Sequence, residues 1–146
     1  MAFEVGPVGP NGRPPNSNIM LLPQLGGMTF SIVNNAGWYD SLVFTHPSDS
    51  TKPLDISSIN FHAELRSSVA DPSNRLDISS SSSPPQFIVG GANGTLFFSV
   101  DAALIIKLSA ADYVMDILAI DIATGLIRNL CEGGPCTVTV LQGVTR

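Results

Sequence analysis

From Met28 onward apolar and polar residues alternate, the period of a half-buried strand. Met28-Thr29-Phe30-Ser31-Ile32-Val33 opens the pattern, and Asn34-Asn35-Ala36-Gly37 interrupts it with turn formers. A second strand is predicted over 41–45, followed by the turn His46-Pro47-Ser48-Asp49-Ser50. Residues 59–66 alternate most cleanly: Ile59, Phe61, Ala63 and Leu65 on one face, Asn60, His62, Glu64 and Arg66 on the other. Further strands are predicted over 76–79, 86–89, 95–100, 113–121, 126–130 and 136–141. Asn93-Gly94 sits between two of them and is the strongest short hairpin signal in the chain. The last two, on either side of Gly133-Gly134-Pro135, read as a closing hairpin. Residues 101–110 are the one stretch with a helical case, about two turns with Asp101 at the N-cap; a buried strand competes there. Residues 79–83 with Pro84-Pro85 form a polar loop, and no internal repeat is present. Many short strands punctuated by Gly, Asn and Pro predict an all-β fold: an antiparallel β-sandwich, Ig-like or jelly-roll-like, with one short helix.

Residues 1–27 break the alternation. Gly and Pro recur through them, so neither a helix nor a central strand fits. Only Ile19-Met20-Leu21-Leu22 is apolar enough to bury. The segment reads as an extended N-terminal arm whose patch docks on a neighbour, with a disordered tail as the alternative. The expected organisation is therefore an arm over 1–27 and a sandwich domain over 28–146.

Composition narrows the function. The chain has 146 residues, and only 13% are charged, against roughly 25% in an average soluble domain. Hydrophobic residues make 44%, too many for a chain disordered throughout. The net charge of −5 and the absence of a Lys/Arg cluster exclude binding of nucleic acid by phosphate neutralisation. No apolar run reaches the about 18 residues of a membrane span, and Met1-Ala2-Phe3-Glu4 lacks the basic start of a signal peptide. A product of the cytoplasm with no membrane partner is expected.

Candidate chemistry is thin. Gly90-Gly91-Ala92-Asn93-Gly94-Thr95 lacks the lysine of a phosphate loop and precedes a strand, so it reads as a turn. Asp112 and Asp116 share one face of a strand and Asp121 takes the other, a poor arrangement for calcium. His46 and His62 are the only histidines, and no Gly-x-Ser-x-Gly elbow accompanies them; His62 reads as a surface residue beside Glu64. No catalytic, cofactor or metal residue is assigned, and an enzyme is not expected. Cys131 and Cys136 flank a turn; they read either as a disulfide closing a small loop or as two free, partly buried thiols. Trp38-Tyr39 reads as a core or interface anchor, with a small sugar-stacking spot as the alternative.

Three stretches carry a resemblance. They are 54–66 (LDISSINFHAELR), 108–117 (LSAADYVMDI), and the C-terminal series Thr124-Gly125, Leu130, Gly133-Gly134, Val138, Val140 and Val144-Thr145-Arg146. Together they resemble a β-sandwich domain of tailed-phage structural proteins, including the N-terminal domain of phage baseplate upper proteins. The likeness covers about residues 27–146. Ala111-Asp112 stands where that family usually has a Gly-containing turn, and neither the arm nor the cysteine pair belongs to the pattern. The resemblance implies a virion structural protein of baseplate or tail, without an enzymatic site or cofactor. Its partners would be other virion proteins and copies of itself, with Ile19, Met20, Leu21, Leu22, Trp38 and Tyr39 as candidate assembly contacts. A capsid decoration or neck protein is the alternative within the class. A carbohydrate- or receptor-binding module using Trp38 and Tyr39 is the alternative outside it. The uncharged strands 95–98 and 137–141 leave two alternatives: either they are central in their sheets, or another chain pairs with them.

Overall fold

In the computed structural model, which describes residues 18–144, the alternation of residues 59–66 becomes the spine of a sheet. Each inward side chain there is buried and each outward one half-buried. Along the chain the elements are β1 (Thr29–Val33), β2 (Ser41–Val43), β3 (Thr45–His46), β4 (Asp49–Pro53), β5 (Ile59–Arg66), β6 (Leu76–Ser79), β7 (Phe87–Val89), β8 (Thr95–Phe98), α1 (Ala102–Ile105), β9 (Ala111–Asp121), β10 (Ile127–Asn129) and β11 (Cys136–Leu141). Short 3-10 turns cover Ile19–Leu21 and Gly91–Asn93.

The large sheet runs β1-β11-β9-β5-β6, with β10 also on β9. A small sheet, β2-β8-β7, covers one of its faces, and β3-β4 form a separate hairpin. Aromatic rings join the two layers. Phe30 of β1 lies 5.2 Å from Phe98 of β8, and Phe61 of β5 lies 6.4 Å from Phe87 of β7, centroid to centroid. All four are buried, so the two inner faces share one core, as in a sandwich. The expected all-β class is the observed one, with one short α-helix among the described residues.

Several local expectations change. The helix spans only Ala102–Ile105, and Asp101 at its N-cap makes no side-chain capping bond. Strand β1 pairs with β11 in parallel, so the large sheet is not purely antiparallel. The whole domain separates these strands in sequence, so no tight turn dictates their direction. The closing hairpin does not form. Instead β10 and β11 both pair with β9, Asn129 opposite Leu118 and Cys136 opposite Met115. Strand β9 is eleven residues long, enough to take two short strands end to end along one edge. Residues 131–135 are the excursion between them, and the Leu130 N–H still donates to Ile117 O at 2.8 Å.

The hairpin at Asn93-Gly94 does form, as β7-β8. Gly94 has φ of +70°, and a Cβ there would stand 2.4 Å from Phe44 O and 2.8 Å from Leu54 O. Only glycine fits both the left-handed backbone and the close approach. Strands β8 and β11 are central in their sheets, which accounts for their lack of charge without a second chain. Among the described residues β1 and β6 end the path of the large sheet, and β2 and β7 are the edges of the small one.

Residues 18–25 pack on their own chain. Ile19, Leu22 and Leu25 are buried in the common core. The Arg128 guanidinium donates to Ile19 O at 2.9 Å and to Leu22 O. Leu25 N–H donates to Leu130 O at 2.6 Å, and Glu132 N–H to Gln24 Oε1 at 2.8 Å. Two of the four residues of the apolar patch expected to dock on a neighbour, Ile19 and Leu22, thus pack into this chain's own core beside β10. Residues 1–17 of the expected arm lie outside the described residues.

Candidate functional site

The outer face of the large sheet carries a cluster of titratable groups. The alternation of β5 turns His62, Glu64 and Arg66 outward, and antiparallel pairing then decides their neighbours. Glu64 stands directly opposite Asp77 on β6 and directly opposite Asp116 on β9. His62 Nε2 meets Asp77 Oδ1 and lies 3.9 Å from Glu64 Oε2. The Arg66 guanidinium holds the other Glu64 oxygen, Oε1, and also donates to Asp71 O at 3.2 Å. Asn129 Nδ2 on β10 donates to Asp116 Oδ2 at 3.4 Å. This face bounds a concavity of about 540 Å3, lined by His62, Glu64, Arg66, Asp116, Asn129 and Glu132 among others. Imidazole and carboxylates at this spacing can share a proton or hold a cation. His62 was readable as outward beside Glu64; the arrival of Asp77 and Asp116 was not. A His-x-Glu on one strand with an Asp on a neighbouring strand candidate was the available signal, and pairing register supplied the rest.

The thiols form a second cluster. Cys131 and Cys136 are both buried and free, with their Sγ atoms 3.5 Å apart. The excursion between β10 and β11 brings them together, with no hairpin ladder between their strands. Leu25 O, 3.1 Å from Cys136 Sγ, is a second acceptor within reach of that thiol's single proton. Hydrogen bonding from Cys136 lowers the Cys131 thiol to about 7, and the same shared proton, with burial, pushes Cys136 well up. One negative charge is thereby favoured on the pair and a second opposed.

The candidate assembly contacts separate into two groups. Ile19 and Leu22 are buried within the chain, whereas Met20 and Leu21 keep 49% and 36% of their surface exposed. Trp38 is buried, stacked on Phe98 at 4.6 Å, and its Nε1–H donates to Asp40 Oδ2 at 2.8 Å. Its ring face is therefore closed to a sugar. Tyr39 is 68% exposed and lies at the rim of the small sheet's outer face, beside Ser41, Ile88 and Phe97.

The remaining polar candidates are used locally. His46 Nδ1 and Ser48 Oγ, 2.9 Å apart, close their own turn. Asp112 and Asp116 are exposed and Asp121 is buried, as the alternation of β9 requires. Asp121 accepts from Thr124 Oγ1 at 2.7 Å and from Ala123 N–H at 3.2 Å, locking the turn into β10. Asp49, Asp55 and Asp71 each accept from a Ser or Thr hydroxyl and a backbone N–H nearby, which holds all three below the usual carboxylate range. No helix among the described residues is long and apolar enough to cross a membrane. Neither a scan against protein-family models nor a comparison with curated proteins finds a match to this chain.

Proposed function

We propose that the chain is a structural subunit of a tailed-phage particle, in the baseplate or tail, and that it works by packing against copies of itself and other virion proteins. The observation that carries this reading is the outer face of the small sheet. Phe97 of β8 stands between Ser41 of β2 and Ile88 of β7 in register. Tyr39, Val43, Ile88 and Phe97 expose 68%, 64%, 45% and 44% of their surface there. Single exposed apolar residues are ordinary on a protein surface; four on one side of a three-stranded sheet mark a contact face. The edge of β1 adds to it: among the described residues Thr29–Val33 is paired on one side only, and it carries no charge to guard the other. The resemblance over 27–146 is what points this contact face toward a phage particle, and an all-β sandwich is compatible with it.

Light scattering on the pure protein, together with proteomics of purified particles, tests the proposal. The expected result is an oligomer that Phe97→Asp dissociates into folded monomers, and recovery of the protein from virions. A monomer at every concentration, or absence from particles, refutes it.

A further inference from the structure

We propose that His62, Glu64 and Asp77 bind a divalent transition-metal ion of the zinc class on the outer face of the large sheet, whichever particle or complex the chain belongs to. Each residue offers one ligand atom, and the three atoms lie within 4.8 Å of one another. One imidazole nitrogen with two carboxylate oxygens is a donor set that suits zinc and its neighbours. It is a poor one for calcium, which takes six or more oxygens.

The strands hold this set in place. Glu64 and His62 are two residues apart on β5, so they share its outward face. Asp77 reaches the same face from β6, directly opposite Glu64. Strand β5 is paired on both sides, by β6 and by β9, so its backbone cannot drift to change the spacing.

Charge supplies a separate argument. Pairing register places Glu64 between two other carboxylates, Asp77 on one side and Asp116 on the other. Like charges directly opposite across strands destabilise a sheet. Arg66 neutralises Glu64 through Oε1 and leaves Oε2 on the side of His62. A cation bound between Oε2, Asp77 Oδ1 and His62 Nε2 relieves what Arg66 does not. The side chains of His62 and Glu64 are 32% exposed and that of Asp77 is 58% exposed, so an ion can enter from solvent and keep water on its remaining positions.

Titration calorimetry of the full chain with zinc chloride tests the site, with circular dichroism to check that each variant folds. One zinc ion per chain is expected, with a dissociation constant in the micromolar range. His62→Ala and Asp77→Asn should each weaken binding by about tenfold or more, a loss that even an outer partner of a ligand can cause. Cobalt in place of zinc should give d–d absorption without the near-ultraviolet charge-transfer band of a thiolate complex. No saturable uptake, uptake unchanged in His62→Ala, or a thiolate band that moves the metal to Cys131 and Cys136 would each overturn the proposal.

Discussion

Replacing Ile19 by alanine tests whether residues 18–25 belong to this chain's own core. Ile19 is fully buried, in a segment held by Arg128, by the Leu25 N–H on Leu130 O and by the Gln24 side chain on Glu132 N–H. Truncating a fully buried isoleucine removes three carbons and leaves a cavity, at a cost of about 3 kcal/mol. In a domain of this size that lowers the melting temperature by roughly 6–12 °C. With a urea slope of about 2 kcal/mol per molar, the midpoint falls by roughly 1.5 M. Arg128→Ala removes a charge-assisted donor shared by Ile19 O and Leu22 O, at about 2 kcal/mol. Because both changes free the same segment, the double variant should lose less than the sum. The chain's only tryptophan is a suitable probe, since Trp38 is buried and stacked on Phe98 and must become solvated on unfolding. Unfolding should be followed across a wide range of protein concentration. An Ile19→Ala variant within about 0.5 kcal/mol of wild type, the usual span of surface changes, would refute packing in cis. So would a loss that disappears on dilution, which would place Ile19 in a neighbour instead.

Other outcomes follow from single positions. Gly94→Ala puts a Cβ 2.4 Å from Phe44 O on a backbone with positive φ; a loss of about 2–4 kcal/mol is expected in urea unfolding, and an unchanged midpoint would contradict the turn geometry. The thiol pair makes stability depend on pH. With Cys131 lowered to about 7 and Cys136 raised above its ordinary 9.0, the folded pair holds one proton fewer than the unfolded chain between pH 7 and 9, so stability rises there. Above pH 9 the unfolded chain sheds both protons while the folded pair keeps one, and stability falls again. Denaturation at stepped pH should show this maximum in the wild type under reducing conditions and lose it in Cys136→Ser; an unchanged profile in that variant would remove the shared proton from the account.

Much of this fold was legible in residue order alone. Ile59–Arg66, Leu76–Ser79 and Cys136–Leu141 have the bounds that alternation predicts, because a strand with one face in a core writes its two-residue period into the sequence. The turn at Asn93-Gly94 was legible for a local reason too: positive φ and a close backbone approach leave glycine little competition. The inward and outward assignment of His62, Glu64, Asp116 and Asp121 came with the same period.

What the period cannot carry is which strand lies beside which. That choice rests on contacts between residues far apart in the chain. Only pairing places Asp77 and Asp116 on either side of Glu64, and only pairing brings the Asp77 carboxylate within reach of His62 and Glu64. Only tertiary packing lays β10 and β11 end to end on β9, which replaces an apparent hairpin by an excursion with two thiols facing each other. It also decides the fate of the Ile19-Met20-Leu21-Leu22 patch. Composition marks that patch as apolar enough to bury, but the partner is whichever surface offers a matching hollow and free donors. Here the Arg128 guanidinium and the core beside β9 provide both within one chain.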